Sequence, residues 1–365
     1  MIVNTSKFKN ILNKSVKACS NNKLFPLSSL VGISIFGDGY CLLTSFDSVN
    51  LVNVSDIICE ELPKSSADEL VMNVVVQAIP LCSLISKINT DTIELKEEGE
   101  CLIIKSGRNN YKFPIYYEEG EVVSFPDIRV NVVDVKVTRV NLDEFKLALK
   151  YNESCAAKTF EIPSLVNAYF GERIITSDSI RACFTNVSLF DTPVLLQYPL
   201  LKLLNIFDDE EVNVVFEGNN IAIFNDAYNT CVVGQVSDDL SEFPIVALNR
   251  LATIENNNEI RLVKKELVDC LERLAIFDDN ILNVTITKNA VTFSNGDSVN
   301  EVLELTNATE FEFSVALSSF LPLIRATDGE VIHLRYGSNI GVSVVSYNED
   351  HDEIVTRILA FIVNE

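Results

Sequence analysis

Few residues in this chain have the chemistry of a catalytic or metal-binding site, and their spacing does not assemble one. The chain has two histidines, His333 and His351, and neither lies in a metal-ligand motif. The sequence contains no GxSxG, P-loop or GxGxxG motif. Two aspartate pairs, Asp208-Asp209 and Asp278-Asp279, remain as candidates for metal binding or acid–base catalysis. Both pairs lie between a predicted helix and a predicted strand, which favours turns, so we predict a protein without catalytic activity, metal or cofactor.

A local excess of positive charge is the sharpest chemical feature of the sequence. Residues 1–37 contain no Asp or Glu but five lysines, in a chain whose net charge is −23. The spacing of apolar residues predicts an amphipathic helix at Ser6–Asn21, with Lys7, Lys14 and Lys17 on a separate arc. A lysine-bearing helix face is often simply solvated, but the complete absence of acids here favours contact with phosphate groups. The five lysines are Lys7, Lys9, Lys14, Lys17 and Lys23.

Composition limits the class of protein. A chain of 365 residues with 47% hydrophobic content is long enough for two or three domains, each with its own core. The net charge, spread evenly, would argue against binding nucleic acid. No apolar run reaches 18 residues, and the N-terminus has no secretion signal, so we expect no membrane contact. Nine cysteines without a CxxC pair indicate reduced thiols in a cytoplasmic protein.

One stretch of sequence recurs three times at a constant offset of 119 residues. It comprises Thr90–Lys105, Asp209–Phe224 and Asp328–Ser343, and each copy reads as an acidic loop, a strand, a turn with glycine and a second strand. The turn glycines are Gly99, Gly218 and Gly337, and the second strands are expected to open at Leu102, Ile221 and Ile340. A helical segment precedes each copy, at Ile79–Ile88, Tyr198–Phe207 and Leu317–Ala326. The chain is therefore predicted to contain three copies of one domain.

Half-repeats indicate that each domain is itself duplicated. Leu274–Phe293 resembles Leu203–Phe224, so a helix, an Asp-Asp turn and two strands form the elementary unit. Matched Phe-Pro pairs, at Phe125-Pro126 and Phe243-Pro244, mark the domain ends. We predict an α+β protein of three similar domains, at residues 1–128, 129–250 and 251–365, each a duplicated helix-plus-antiparallel-sheet unit.

Element boundaries follow from the same patterns. We predict hairpin strands Val31–Phe36 and Tyr40–Ser45, a strand near Leu165–Phe170, a helix at Lys264–Phe277 and a C-terminal strand at Ile354–Val363. An array of such units has open sheet edges at its two ends, which head-to-tail association would pair. A ring closed in this way, with basic helices inside and acidic sheets outside, would reconcile the net charge with a DNA partner.

Several stretches resemble one known family. Gly99–Tyr111, followed by Phe125-Pro126, is similar to the GE-x-L-x-[IV]-[KR]-SGR-x3-[FY] pattern of the bacterial-type sliding clamp, the β subunit of replicative DNA polymerase. Thr176–Arg181 is similar to the ATDG-x-R stretch of that family, and Thr44–Asp47 is a looser match. Lys23 corresponds to a basic residue on a DNA-touching loop. The resemblance covers essentially the whole chain and implies the DNA clamp fold, with helices inside a ring.

The resemblance also implies function and partners. A homodimeric ring would encircle double-stranded DNA without reading its sequence, and it would tether DNA polymerase and a clamp loader through short linear peptides. It would work in the bacterial cytoplasm, or in the infected host cytoplasm if a phage encodes it. The implied DNA-facing residues are Lys7, Lys9, Lys14, Lys17, Lys23, Lys146 and Lys150.

A peptide groove between the second and third domains is implied as well. Its residues, carried over by position, are Val166, Ser177, Ser179, Arg181, Pro244 and Phe361. The chain departs from the family in three places. Ile180 replaces a histidine, Leu248 replaces a basic residue, and the ending 361–365 lacks the Met-Pro-x-Arg pattern. We interpret these departures as those expected of a divergent or phage-encoded clamp, whose groove would accept a different peptide.

The resemblance places a dimer seam between the first domain and the third domain of a second copy. Its expected residues are Lys105, Arg108, Ile276, Phe277, Glu301 and Glu304. Exposed ion pairs contribute only about 0–1 kcal/mol each, so apolar packing of Ile276 and Phe277 is expected to dominate. Two alternatives stay open, a structural ring or tail protein of a virion and an acidic DNA mimic. Neither alternative accounts for the lysines of the first helix.

Overall fold

The order of elements recurs three times along the chain. The computed structural model describes residues 1–20, 24–61, 65–128, 130–131, 135–157, 162–237, 240–277, 280–296 and 299–362. Each third of the chain begins with a strand that runs directly into a helix. Four strands, a second helix and three further strands follow in the same order each time.

The first third contains two helices. Its elements are β1 (Ile2–Asn4), α1 (Thr5–Ser15), β2 (Leu30–Phe36), β3 (Tyr40–Phe46), β4 (Leu51–Ile57), β5 (Leu70–Gln77), α2 (Ala78–Lys87), β6 (Thr92–Glu98), β7 (Cys101–Ser106) and β8 (Asn109–Pro114). A small hairpin then leads to the next third, with strands β9 (Tyr117–Glu118) and β10 (Glu121–Val122).

The second third repeats this order and ends in an additional helix. Its elements are β11 (Thr138–Asn141), α3 (Leu142–Asn152), β12 (Asn167–Phe170), β13 (Ile174–Ser177), β14 (Arg181–Thr185), β15 (Val194–Gln197), α4 (Tyr198–Lys202), β16 (Glu211–Glu217), β17 (Asn220–Phe224) and β18 (Thr230–Ser237). The additional helix is α5 (Ile245–Ala252).

The last third repeats the order again. Its elements are β19 (Asn258–Val263), α6 (Lys264–Leu274), β20 (Ile281–Ile286), β21 (Ala290–Asn295), β22 (Val299–Glu304), β23 (Phe311–Ala316), α7 (Leu317–Ala326), β24 (Val331–Tyr336), β25 (Gly341–Tyr347) and β26 (Glu353–Ala360). The predicted α+β class with three similar parts is therefore confirmed.

The chain folds into two compact units. The first comprises Met1–Asp143 with Pro199–Val236, and the second comprises Glu144–Tyr198 with Ser237–Glu365. The middle third thus contributes to both units. The boundaries at 128 and 250 stay predictions.

Each unit contains one four-stranded and one eight-stranded antiparallel sheet. In the first unit the orders are β1-β6-β7-β8 and β11-β16-β17-β18-β4-β3-β2-β5. In the second unit they are β22-β21-β20-β23 and β19-β24-β25-β26-β14-β13-β12-β15. Each eight-stranded sheet joins two thirds of the chain through one strand pair, β4 with β18 and β14 with β26.

The recurring hairpin is confirmed in all three copies. Gly99 and Gly218 adopt φ of 61° and 56°, a conformation that favours glycine at a tight strand turn. The third turn is longer, because β24 ends at Tyr336 and β25 begins at Gly341. Ile340, predicted to open that strand, therefore lies before it and is half exposed.

The first helix shows why a strand leads directly into a helix. Asn4 ends β1, and its side chain accepts a 3.0 Å hydrogen bond from the Lys7 amide, which caps α1. Phe8, Ile11 and Leu12 recur at helical spacing and are buried. Full burial of each such side chain stabilises the fold by about 1.5–3 kcal/mol.

A polar side chain from the sheet holds the end of the first helix in every third. Each side chain is buried and belongs to the third strand of its own third of the chain. It donates a hydrogen bond to the carbonyl oxygen of the last residue of the first helix in that third. The pairs are Ser45 with Ser15 (2.7 Å), Thr176 with Asn152 (3.0 Å) and Asn295 with Leu274 (3.0 Å). This contact defines equivalent positions in the three thirds independently of the sequence.

Several predicted boundaries are wrong. The first helix ends at Ser15 and continues as a 3-10 turn at Val16–Ala18, not to Asn21. The helix predicted at Lys264–Phe277 ends at Leu274, since the chain turns after its carbonyl is bound. Residues 163–166 form a 3-10 turn before β12, because Pro163 lacks the amide that a strand would need. β26 ends at Ala360, and Val363 lies outside the described residues.

Candidate functional site

The helices carry a charge opposite to that of the chain. The seven helices α1 to α7 contain twelve Lys and Arg residues but only five Asp and Glu, an excess of seven positive charges. The whole chain has a net charge of −23, so strands and loops hold the negative charge. Helices α1, α2 and α4 contain no acid at all. The helical surface is thus the part of this protein that is suited to an anionic partner.

The lysines of the first helix also fix their neighbours. Lys7 Nζ donates to the Ile57 carbonyl at 3.0 Å, and Lys9 Nζ donates to the Ser86 carbonyl at 2.9 Å, near the end of α2. Lys17 follows α1 and donates to a carbonyl in the turn after α4. Each ammonium has three donors, so these contacts leave donors for phosphate oxygens.

Two lysines form the same kind of ion pair in the two units. Lys14 Nζ lies 2.8 Å from Asp208 Oδ2, and Lys150 Nζ lies 2.8 Å from Asp328 Oδ1. Both aspartates belong to the loop between a second helix and the strand that follows it. The Lys14 side chain is only 17% exposed, so it contributes less to a surface than the sequence suggested. Lys146 is half-buried on α3, and Lys23 lies outside the described residues.

The expected groove residues Ser177, Ser179 and Arg181 form one tight turn. Asp178 Oδ1 accepts the Ile180 and Arg181 amides at 3.1 and 2.7 Å, and Ser179 adopts a φ of 74°. The Arg181 guanidinium is held by Asp178 and by the Ser319 carbonyl. It lines a cleft of about 540 Å³ beside α7 and is largely withdrawn from the surface.

Two apolar residues beside this turn were not among the expected groove residues. The Ile180 carbonyl accepts the Ala360 amide, and the Ile340 carbonyl accepts the Phe361 amide, each at 3.0 Å. The two isoleucines therefore flank the end of β26, and both are about half exposed. Ile180 is exposed because it lies in the turn before β14, and Ile340 is exposed because it lies in the long third turn. The residue type alone does not predict this exposure.

The remaining groove residues divide between two clusters. Pro244 begins α5, whose Leu248 is buried against Phe243, Leu165 and Ile358. Leu248 is therefore a core residue, because α5 turns it inward. Val166 directly follows Leu165 in the same region, and the exposed apolar residue of α5 is Val246.

Phe361 lies in a different environment. It stacks on Phe313 with ring centroids 5.1 Å apart, and it lines a cleft of about 700 Å³ formed with β20 and β23. The structure thus places Pro244 at the start of α5 and the Phe361 ring beside the aromatic residues of the last third. Val166 is half-buried in the 3-10 turn before β12.

Two of the expected seam residues lie beside edge strands. Arg108 is exposed in the turn before β8, and Glu304 is exposed at the end of β22. β8 and β22 are each the outermost strand of a four-stranded sheet in the described structure. Lys105 and Glu94 are cross-strand neighbours 3.1 Å apart, so this lysine already has a partner within its own chain.

Phe277 is exposed at a position where the corresponding residues of the other thirds are buried, and Ile276 beside it is exposed as well. Counting three residues beyond each bound helix-end carbonyl gives Ala18, Cys155 and Phe277. Ala18 and Cys155 are almost fully buried, whereas Phe277 is 47% exposed and Ile276 is 77% exposed. An exposed apolar pair at such a position indicates a surface that a partner covers.

The described residues among those considered for catalysis lie in loops and in a surface network. Within the described residues, no group of three or more His, Cys, Asp or Glu side chains is placed to bind a metal. Burial raises the pKa of the Glu259 carboxyl, but hydrogen bonds from His333, Arg261 and Arg335 lower it more, to about 2. His333 therefore belongs to a surface ionic network. Asp208 and Asp209 lie between helix and strand, as predicted, and Asp278-Asp279 lie outside the described residues.

Two further findings concern the state of the cysteines and the length of the helices. All nine cysteines fall within the described residues and are free thiols. Burial raises the pKa of the Cys270 thiol to about 12, so it stays protonated at neutral pH. In the part of the chain that the structure describes, no helix has the length and hydropathy needed to span a bilayer.

Solved structures share this fold over essentially its whole length. The DNA polymerase III beta subunit of Thermotoga maritima has a TM-score of 0.83 at 16% identity, covering 100% of this chain and 99% of that one. The DNA polymerase sliding clamp of Bacillus subtilis has a TM-score of 0.79 at 15% identity, with the same coverage. The beta subunit from Pseudomonas aeruginosa has 0.81 at 14%, covering 99% of each chain. The chain has the fold of these sliding clamps.

The similarity is one of structure. No protein-family model matches the sequence, and no curated protein sequence matches it. At 14–16% identity, side chains have changed at most positions while the order of elements has been kept. The roles of individual residues therefore have to be argued from their own geometry.

Proposed function

We propose that this protein is a ring-shaped DNA sliding clamp, a non-catalytic processivity factor that encircles duplex DNA and tethers a replicative polymerase. The observation that carries the proposal is the concentration of positive charge on the helices of a strongly acidic chain. The full-length fold likeness to sliding clamps supports it. An acidic DNA mimic would have no use for acid-free helices.

The mechanism is topological. Because a clamp has to slide, each phosphate contact needs to be weak and exchangeable. Lysines that already donate to helix-end carbonyls satisfy this requirement, since they offer only part of their hydrogen-bonding capacity. Many weak contacts release counterions collectively, which offsets the repulsion between DNA and the acidic sheets. Retention then depends on closure of the ring and not on affinity for a sequence.

Ring closure follows from a strand pairing that the chain already uses twice. β4 pairs with β18 in the first unit, and β14 pairs with β26 in the second. In each pair, the fourth strand of one third meets the last strand of the next. The strands left over by this rule are β22 and β8, so β22 of one copy would pair with β8 of another. Two copies joined head to tail would then contain six like domains.

Apolar contact would dominate the seam. Phe277 occupies the position at which Ala18 and Cys155 are buried in the other thirds. Covering the exposed half of its side chain would contribute about 1 kcal/mol per seam. Antiparallel pairing would set the start of β8, next to Arg108, against the end of β22, which carries Glu304. These charges would fix the register and the direction of closure.

Partner proteins would dock beside α5. Ile180, Ile340 and Val246 provide exposed apolar contacts, and the turn at Ser177–Arg181 lies next to the end of β26. A short linear peptide that inserts apolar side chains there would tether a polymerase or a clamp loader. The withdrawn Arg181 and the isoleucine at position 180 favour a more apolar peptide than one that pairs with charged groups.

The cytoplasm is the compartment that fits this function and the free thiols. The decisive experiment is retention on circular DNA. A clamp remains on a nicked circle after loading and leaves when the circle is linearised, whereas a protein held by surface affinity leaves both at the same rate.

A further inference from the structure

The loop after the first helix presents two adjacent apolar side chains to solvent. Leu24 is 83% exposed and Phe25 is 52% exposed. A 3-10 turn at Pro26–Ser29 then returns the chain to β2. We refer to Leu24 and Phe25 together as the apolar tip.

Hydrogen bonds close the base of this loop. The Ser20 amide donates to the Ser28 carbonyl at 2.8 Å, and the two hydroxyl oxygens lie 3.0 Å apart. The Ser28 hydroxyl also donates to the Phe25 carbonyl at 2.7 Å. The backbone on the returning side of the apolar tip is therefore held in place, which reduces the entropy lost on binding.

The chemistry around the apolar tip favours an anionic partner. Residues 1–37 contain no acid, and in the sequence the apolar tip follows Lys17 by only a few residues. Single-stranded DNA combines phosphates with exposed flat apolar bases, and both features match this surface. Duplex DNA hides its base faces, and inserting a side chain between base pairs would hinder sliding.

We propose that the apolar tip binds unpaired bases of single-stranded DNA, with Phe25 stacking on a base and nearby lysines contacting the phosphates. The proposal rests on the proposed clamp function and extends it. A ring that slides freely on duplex would be held where the duplex ends and the template becomes single-stranded. That is the position at which a polymerase has to be recruited.

The absence of tryptophan from the chain allows a direct test. Phe25→Trp introduces a single tryptophan at the apolar tip, and Tyr228→Trp introduces one at an exposed turn between β17 and β18 as the matched control. The probes are oligo(dT), a blunt duplex and a duplex with a single-stranded extension. For the Phe25→Trp variant we expect saturable fluorescence quenching by oligo(dT) and by the extended duplex, and little quenching by blunt duplex. The fluorescence of the Tyr228→Trp variant should stay unchanged. Equal quenching of the Phe25→Trp variant by blunt duplex, or none by oligo(dT), would overturn the proposal.

A second variant separates this contact from folding and from clamp function. Leu24→Ser with Phe25→Ser should weaken oligo(dT) binding about tenfold while circular dichroism and retention on circular duplex stay unchanged. Unchanged oligo(dT) affinity together with lost polymerase binding would show that the apolar tip docks a protein, which rejects the proposal. If the Phe25→Trp variant is quenched but the native protein is not retained on circles, the clamp function fails while the base contact stands.

Discussion

Arg273 and Glu301 form a two-pronged ion pair, with Nε and Nη2 each 2.7 Å from a carboxylate oxygen. The pair ties α6 to β22, the outermost strand of its sheet in the described structure. The hydrogen bonds from Arg273 lower the pKa of the Glu301 carboxyl, which keeps it ionised. Because Glu301 is already paired within its own chain, we expect the proposed seam to depend mainly on apolar contact.

The first prediction concerns the dimer. Ile276→Asp with Phe277→Asp should give monomers, because two carboxylates would have to be desolvated where two apolar side chains are otherwise covered. The loss should exceed roughly 100-fold in dimer affinity, which light scattering across a dilution series measures. Val246→Asp, an equally exposed site on α5, is the control and should remain dimeric. A double variant with the mass of a dimer would remove these residues from the seam.

The second prediction concerns the lysines of the first helix. Lys7→Glu with Lys17→Glu should shorten the lifetime on circular DNA and reduce the dependence of binding on salt concentration, since two phosphate contacts per copy become repulsive. Lys14 is left unchanged because its ion pair with Asp208 joins two distant parts of the chain. The control is Lys96→Glu with Lys288→Glu, which lie on β6 and in the turn between β20 and β21, away from the proposed seam strands. Identical salt slopes for the two double variants would refute the assignment of Lys7 and Lys17 to the DNA surface.

The third prediction concerns partner binding. Peptides selected from a random linear library against the native protein should lose at least about tenfold in affinity with Ile180→Asp or Val246→Asp, as fluorescence polarisation would show. Ile57→Asp, at an exposed apolar site in β4, should have no effect. Selected peptides that bind all three variants equally would place the docking site elsewhere.

The fourth prediction concerns stability at low pH. The pKa of Glu259 in the folded protein is about 2, below its ordinary value of 4.5, so its network stabilises the fold fully above about pH 5. That contribution is lost as the pH falls toward 2. Glu259→Gln should therefore lower the unfolding free energy by about 1 kcal/mol at pH 7. The difference between variant and native protein should vanish near pH 2, which urea titrations at several pH values would test. A difference that is independent of pH would contradict the argument.

Much of the fold was predictable because the chain repeats itself. Gly99 and Gly218 identified two of the hairpins in the sequence, because a turn position with positive φ is most often occupied by glycine. The last helix was predicted at its observed bounds, Leu317–Ala326, because its apolar residues keep helical spacing. The helix α5 was missed, since its Phe243-Pro244 start also fits the end of a domain.

The candidate site was less predictable, because it depends on contacts between residues far apart in sequence. Lysine spacing suggested a free cationic surface, yet Lys14 pairs with Asp208, from a distant part of the chain. The exposure of Ile180 and Ile340 depends on how their turns meet the end of β26. The burial of Leu248 depends on the face that α5 turns toward its cluster. None of these contacts produces a local sequence pattern from which it could be predicted.

Retention on DNA of defined topology tests the central claim most directly. The protein, loaded onto a nicked circular plasmid and separated by gel filtration, should co-elute with the circle and be released after a single restriction cut. A protein block at both ends of the linear form should restore retention. Equal release from circular and linear DNA, or retention that a moderate rise in salt abolishes on both, would contradict the clamp function.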